Sequence, residues 1–168
     1  MTEKTNKPQK TTNNKDTNQQ NKTNNNKLFC YEIDTTHILI EPEIKMEVLE
    51  QSIIYPIPNA PKWYLGVTSL RGDILTVVNM HFLLNSKSNL KEKRLLKLKH
   101  PDFPALVIAI DKLPYQSNID RLVTYNKNNN KQYPAWIKSS LKQNEKTFLV
   151  ADHPVLFKAM QATVGDEQ

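Results

Sequence analysis

This chain holds only three glycines in 168 residues, and two of them, Gly66 and Gly72, stand in one stretch from Trp63 to Val78. There two apolar runs, Leu65 to Leu70 and Ile74 to Val78, flank the pair Arg71-Gly72. Strand formers on both sides of a short turn specify a β-hairpin, with Gly72 free to take the positive φ the turn needs. Such a hairpin lifts one arginine out of a strongly apolar setting. A sequence so sparing with glycine keeps it where the backbone cannot do without it.

Around this hairpin the rest of the chain reads as short strands. Phe29 to Ile33, Asp34-Thr35-Thr36 and His37 to Ile40 give strand, turn, strand, and Pro42 ends the element. Ile44 to Leu49 reads as a helical turn running into a strand, and periodicity alone does not settle the order. Pro56, Pro58 and Pro61 then enforce an extended path that delivers the chain to Trp63. Beyond the hairpin, Asn79 to Leu84 is a short helix or turn, and the charged run Asn85 to Lys99 is expected as a long exposed loop. Ala105 to Ile110 is an apolar strand, Asp111 to Pro114 a turn, and Tyr115 to Tyr125 one or two further strands. Asn126 to Lys131 is a solvated loop tip. Thr147 to Ala151 is a strand, and His153 to Ala162 a closing helix with Val155, Leu156, Ala159 and Met160 on its inner face. Many short strands with close turn signals predict an all-β small barrel or sandwich.

Charge and composition narrow the function. The formal net charge of +6 invites a nucleic-acid reading, with Trp63, Tyr64 and Tyr55 as stacking residues. However, residues 1–27 carry six lysines against Glu3 and Asp16, which leaves 17 cations and 15 anions for everything else. That first segment has eight Asn, six Thr and three Gln and no Leu, Ile, Val, Phe, Tyr or Trp, so it is expected as a disordered tail. The domain then spans 28–168. A basic small-barrel nucleic-acid binder is therefore the alternative reading, and no nucleic acid is the expectation. No run of about eighteen apolar residues marks a membrane helix, and the N-terminus lacks the apolar core of a signal peptide, so a cytoplasmic location without membrane insertion is expected.

Catalytic patterns are missing from the sequence. His37, His81, His100 and His153 are far apart without a second ligand at helical spacing, so no metal is expected. His100-Pro101-Asp102 matches a co-chaperone tripeptide but precedes a β-rich run and is read as accidental. Cys30, the single cysteine, is expected as a buried, inert thiol. Neither a phosphate-cradling loop nor a nucleophile elbow occurs. No enzyme and no cofactor are expected.

The run Pro58-x-Ala60-Pro61, then Trp63-x-x-Gly66-Val67-x-x-Leu70-Arg71-Gly72-x-Ile74-x-x-Val77-Val78, resembles the signature of CheW-like domains. Glu47-Val48 falls where that family often has an E-V pair. Val150-Ala151-Asp152 and Leu156-Phe157 are similar to its last strand and closing helix. Trp63 and the Phe82-Leu83-Leu84 run look most like the PilI branch, found in chemosensory control of type IV pili. The chain departs from the family at Thr76, where a proline is usual, at Asn79, where an aspartate is usual, and in its first hairpin, where Asp34-Thr35-Thr36 replaces a glycine.

The resemblance implies a fold: two interleaved five-stranded barrels with an apolar junction and a short C-terminal helix. It also implies an adaptor that couples the cytoplasmic tip of a methyl-accepting, PilJ-like chemoreceptor to the regulatory domain of a CheA-type, ChpA-like histidine kinase, recruited to membrane-bound receptor arrays. Arg71, Leu70 and Asp73 are the candidate partner-binding residues. Trp63, Gly66, Val67, Gly72, Val77 and Asn79 form the structural motif, with Trp63 read as a core plug. Arg71 either braces its own loop or meets a partner, and the sequence leaves both open.

Overall fold

The computed structural model describes residues 1–2, 26–86, 94–119, 125–127 and 133–165. Most of the expected tail (3–25) lies outside the described residues, as do Lys91, Glu92 and Lys93 of the charged run, residues 120–124 and residues 128–132. In order the elements are β1 (Asn26–Ile33), β2 (Thr36–Leu39), β3 (Lys45–Leu49), β4 (Tyr64–Leu70), β5 (Asp73–Asn79) and α1 (Met80–Leu83). There follow β6 (Arg94–His100), β7 (Phe103–Ile110), β8 (Lys112–Ile119), β9 (Asn126–Lys127), β10 (Ile137–Gln143), β11 (Lys146–Ala151) and α2 (His153–Gly165).

These strands make a six-stranded sheet, order β8-β1-β2-β11-β10-β9, and a five-stranded sheet, order β3-β6-β7-β5-β4. The chain lays down β1 and β2, leaves to build the whole five-stranded sheet, and returns with β8. That excursion is the expected interleaving. Each sheet rolls on itself. β3 and the β4–β5 hairpin occupy opposite edges of one sheet, yet Glu47 and Arg71 meet at 2.7 Å. In the other, the Gln143 side chain on β10 donates to the Asn118 carbonyl on edge strand β8 at 2.8 Å.

Each roll encloses a small apolar core, built around Leu75, Val77 and Val107 in the five-stranded sheet and Cys30, Leu141 and Phe148 in the six-stranded one. The largest cluster lies between the rolls, where Tyr31, Ile33 and Ile38 meet Leu96, Leu98, Ile108 and Ile110. β7 shows how one strand serves both cores. Its period of two turns Val107 and Ala109 into its own roll and Leu106, Ile108 and Ile110 into the junction. Each fully buried Ile or Leu contributes about 1.5–3 kcal/mol. This is the all-β, two-roll architecture with a short terminal helix that the resemblance implied. The sixth strand of the larger sheet is the two-residue β9, paired to Ser139 and Ser140.

Polar contacts lock the junction where the two sheets meet. Asp34, in the β1–β2 turn, has φ +58 and accepts a hydrogen bond from Ser86 Oγ at 3.2 Å, while its amide donates to Asp111. The other Asp111 oxygen lies 2.9 Å from His81 Nε2 on α1. An aspartate in place of the usual turn glycine thus keeps the left-handed backbone and adds a side chain that bonds across the junction.

Several sequence readings change. Arg94–His100, expected within a loop, is β6. Its Leu95, Leu96 and Leu98 are buried, and the intervening Lys97 and Lys99 concealed that apolar content. The order left open at Ile44 to Leu49 resolves as strand β3. The expected turn at Asp111 to Pro114 shrinks to Asp111. Pro114 lies inside β8, which tolerates it because β8 is an edge strand. On α2 the inner face carries His153, Leu156, Phe157 and Met160, whereas Val155 and Ala159 are exposed. Cys30 is buried, and that burial pushes its thiol pKa up. Of His100-Pro101-Asp102, His100 ends β6 and Pro101 and Asp102 make the β6–β7 turn.

Candidate functional site

Leu70 pairs with Asp73, so the hairpin turn consists of Arg71 and Gly72 alone. Their φ values are +53 and +93, the sign pattern of the type I′ turn that matches the twist of paired strands. Gly72 was expected to take this conformation; Arg71 takes it too, at a cost of about 1–2 kcal/mol for a residue with a Cβ. The Arg71 side chain is 76% exposed and places one guanidinium nitrogen, Nη2, 2.7 Å from Glu47 Oε1. Lys97 Nζ stands 3.9 Å from the other Glu47 oxygen. Arg71 therefore ties the tip of the hairpin to β3 and still presents most of its surface to solvent.

The two faces of the hairpin differ. Leu75 and Val77 turn into the roll, together with the buried Thr68. Ile74 and Thr76 point outward, and the register sets Ser69 and Val67 of β4 beside them. Ile74 is 76% exposed, an unusual position for a large apolar side chain. The proline-rich segment borders this outer face, because Tyr55 exchanges backbone hydrogen bonds with Val67 at 2.8 and 2.9 Å. That crossing passes over Gly66, where an added Cβ would lie 2.1 Å from the Tyr55 carbonyl oxygen. Nothing lies within 4 Å of a Cβ added at Gly72, so that glycine answers to φ alone.

Helix α2 walls the opposite side. Its N-terminus is held by a partly buried clasp. Asp152 accepts from the Val155 amide at 3.1 Å, as an N-cap. One oxygen of Glu41 takes the His153 amide at 3.0 Å and stands 3.2 Å from the ring nitrogen Nδ1. Lys138 Nζ reaches both carboxylates, at 3.2 Å from Glu41 and 3.0 Å from Asp152. Burial alone would raise the Glu41 carboxyl, but the bonds from the His153 ring, the His153 amide and Lys138 outweigh it and hold its pKa at about 2. Past the clasp, Leu156 packs into the junction and the Phe157 ring stacks on Phe103, centroids 5.6 Å apart. Between α2 and the sheet lies a groove of about 230 Å³ lined by Thr76, Pro104, Ala105, Leu106, Phe157, Met160 and Gln161. Thr76 carries it onto the outer face of the hairpin.

The other sequence-selected residues serve the frame. Trp63 is 8% exposed in the junction core, and its carbonyl accepts the Asn79 amide at 2.7 Å. Asn79 caps α1, its side chain accepting from the Phe82 amide at 3.2 Å. Val67 is half-buried and Val77 fully buried. Of the partner-binding candidates, Leu70 packs against the inner core, while Arg71 and Asp73 are exposed at the tip. Sequence reasoning missed Glu47 as the Arg71 partner, the outward Ile74, and the Glu41–Lys138–His153 clasp. The Asp152 cap was readable, since an aspartate precedes the helical run His153-Pro154-Val155-Leu156. The three buried histidines meet separate carboxylates: His37 faces Glu32, His81 faces Asp111 and His153 faces Glu41.

Comparison with known proteins agrees with this geometry. The family model for the CheW-like domain matches residues 34–161. Protein FrzA of Myxococcus xanthus is 30% identical over 54 residues, covering 32% of this chain and 34% of that protein. The match thus spans about a third of the length of that curated relative. Among solved structures, scaffolding protein TtCheW from Thermoanaerobacter tengcongensis superimposes with a TM-score of 0.59 at 16% identity, covering 74% of this chain and 87% of that one. At that identity the likeness speaks for the fold.

Proposed function

Because the chain belongs to the CheW-like domain family, whose members are non-enzymatic scaffolds, we propose that it is an adaptor coupling a chemoreceptor to a CheA-type histidine kinase. The observation that carries this reading is the outer face of the hairpin. Ile74 is exposed beside Arg71, and Thr76 leads directly into the groove under α2. An amphipathic receptor helix fits such a face, its apolar side on Ile74 and the groove, its polar side toward Arg71. Arg71 can bond a helix carboxylate or carbonyl without surrendering Glu47, since a guanidinium carries five donors.

The finer setting follows the same reading. The receptor is PilJ-like, the kinase contact is its CheW-like regulatory domain, and the system is type IV pilus control in the cytoplasm. The adaptor domain takes in β1 from Asn26 rather than starting at 28, since Asn26 and Lys27 pair with Ile119 and Asn118 of β8.

Isothermal titration of the full chain against a receptor cytoplasmic hairpin fragment and a kinase regulatory domain tests the proposal. Wild type should bind both, and Ile74→Asp should weaken the receptor fragment about tenfold or more with an unchanged circular dichroism spectrum. A folded, monodisperse sample that binds neither at about 50 μM overturns the reading. Retention on single-stranded DNA that falls steeply with salt would favour the nucleic-acid alternative instead.

A further inference from the structure

Among the described residues three buried side-chain polar atoms have no hydrogen-bond partner: the Tyr31 hydroxyl, Thr68 Oγ1 and His153 Nε2. Thr68 lies apart, on the inner face of the five-stranded roll opposite Leu75. The other two belong to neighbours. The Tyr31 and His153 rings stand edge to face, centroids 6.2 Å apart and planes at 64°, and both residues are 0% exposed. A polar atom orphaned at that depth forfeits its hydration with nothing in return, and folded proteins rarely leave one, still less two side by side.

The two atoms are chemically complementary. Burial pushes the Tyr31 phenol pKa up, so its oxygen keeps a hydrogen to donate. On the other ring, His153 Nδ1 stands 3.2 Å from Glu41 Oε2, and Glu41 is ionised at neutral pH, its pKa held at about 2. Nδ1 therefore carries the hydrogen that this carboxylate accepts, and in a neutral imidazole Nε2 is then a bare acceptor. A donor and an acceptor thus sit on adjoining buried rings with no direct bond between them, the situation in which a water belongs between two polar groups. A charged ligand does not fit, because Tyr31 is packed among the apolar side chains of the junction.

We propose that the junction binds one internal water between Tyr31 and His153, which accepts from the Tyr31 hydroxyl and donates to His153 Nε2. That water carries the clasp at the root of α2 into the core. Lys138, Glu41, His153, the water and Tyr31 form one polar chain from the surface to β1. The first strand and the last helix are tied by it as well as by apolar packing. The site is independent of the adaptor reading above.

Tyr31→Phe removes only the phenol oxygen and so tests the bridge. Losing a bridged hydroxyl should lower the urea midpoint of the full chain and reduce its folded-to-unfolded ratio about fivefold. Deleting an orphaned hydroxyl does the opposite, since it relieves a buried polar group, so a midpoint equal to or above wild type overturns the proposal. Two measurements on wild type stand apart from that variant. A high-resolution crystal structure should show one water at about 2.7–3.2 Å from both atoms. No water there, or a direct bond from Tyr31 to His153, overturns the proposal. In ¹⁵N NMR at pH 7 the His153 ring should carry its hydrogen on Nδ1 and none on Nε2. A hydrogen on Nε2 overturns it too.

Discussion

Two charged contacts in this molecule look alike on paper and differ in what they do. At the hairpin tip, Arg71 meets Glu47 at 2.7 Å with side chains 76% and 36% exposed. At the root of α2, Glu41 meets His153 at 3.2 Å with side chains 23% and 0% exposed, and Lys138 and Asp152 complete the set. Water competes for every bond at the tip, whereas at the clasp it reaches those of the half-exposed Lys138 but is held back from those of the buried His153. The clasp therefore belongs to the fold, fixing the helix that walls the groove. The tip pair contributes little to the fold and leaves most of the Arg71 side chain open to solvent.

Glu41→Ala should break this contrast most severely. It strands the His153 amide and ring nitrogen, and urea denaturation should show a loss of about 2–3 kcal/mol, below the range for a fully buried pair because Glu41 keeps some exposure. A loss under about 1 kcal/mol would erase the distinction between clasp and tip. The same carboxylate supplies a pH test. Its folded pKa, about 2, lies below the ordinary 4.5, so its contribution is complete above pH 4.5 and is lost as pH falls toward 2. The urea midpoint of wild type should drop through that window, and Glu41→Ala should flatten the drop.

Gly72→Val comes next. The position has open space but a φ of +93, so the cost is backbone strain, about 1–2 kcal/mol by thermal or urea unfolding. Arg71→Ala should cost about 0–1 kcal/mol while reducing receptor-fragment affinity in titration calorimetry. Equal losses of stability in Gly72→Val and Arg71→Ala would make Arg71 a brace only. The mildest change is Arg71→Gly, which removes the ion pair and the left-handed strain together. Its stability should stay within about 0.5 kcal/mol of wild type while binding falls.

The hairpin was legible because its information is local. Strand formers, a two-residue turn and a glycine sit within one short stretch, and the register Leu70 opposite Asp73 follows from them. β6 was less legible, since its lysines alternate with leucines that serve two different cores. Ile74 was hidden for a related reason. Residues 74 to 78 are nearly all apolar, so no alternation marks which face meets solvent, and only the roll of the sheet turns Leu75 and Val77 inward.

The sequence alone determined the strand-rich class, the hairpin with its glycines, the caps that start α1 and α2, and the family motif, because each depends on neighbours along the chain. Tertiary structure alone decided that Arg71 reaches Glu47, that Glu41 reaches His153, and that Thr76, Leu106 and Phe157 share one groove. Those pairings join residues brought together by the roll of each sheet and the excursion of the chain between them. Their attraction is short-ranged, and no spacing in the sequence encodes it.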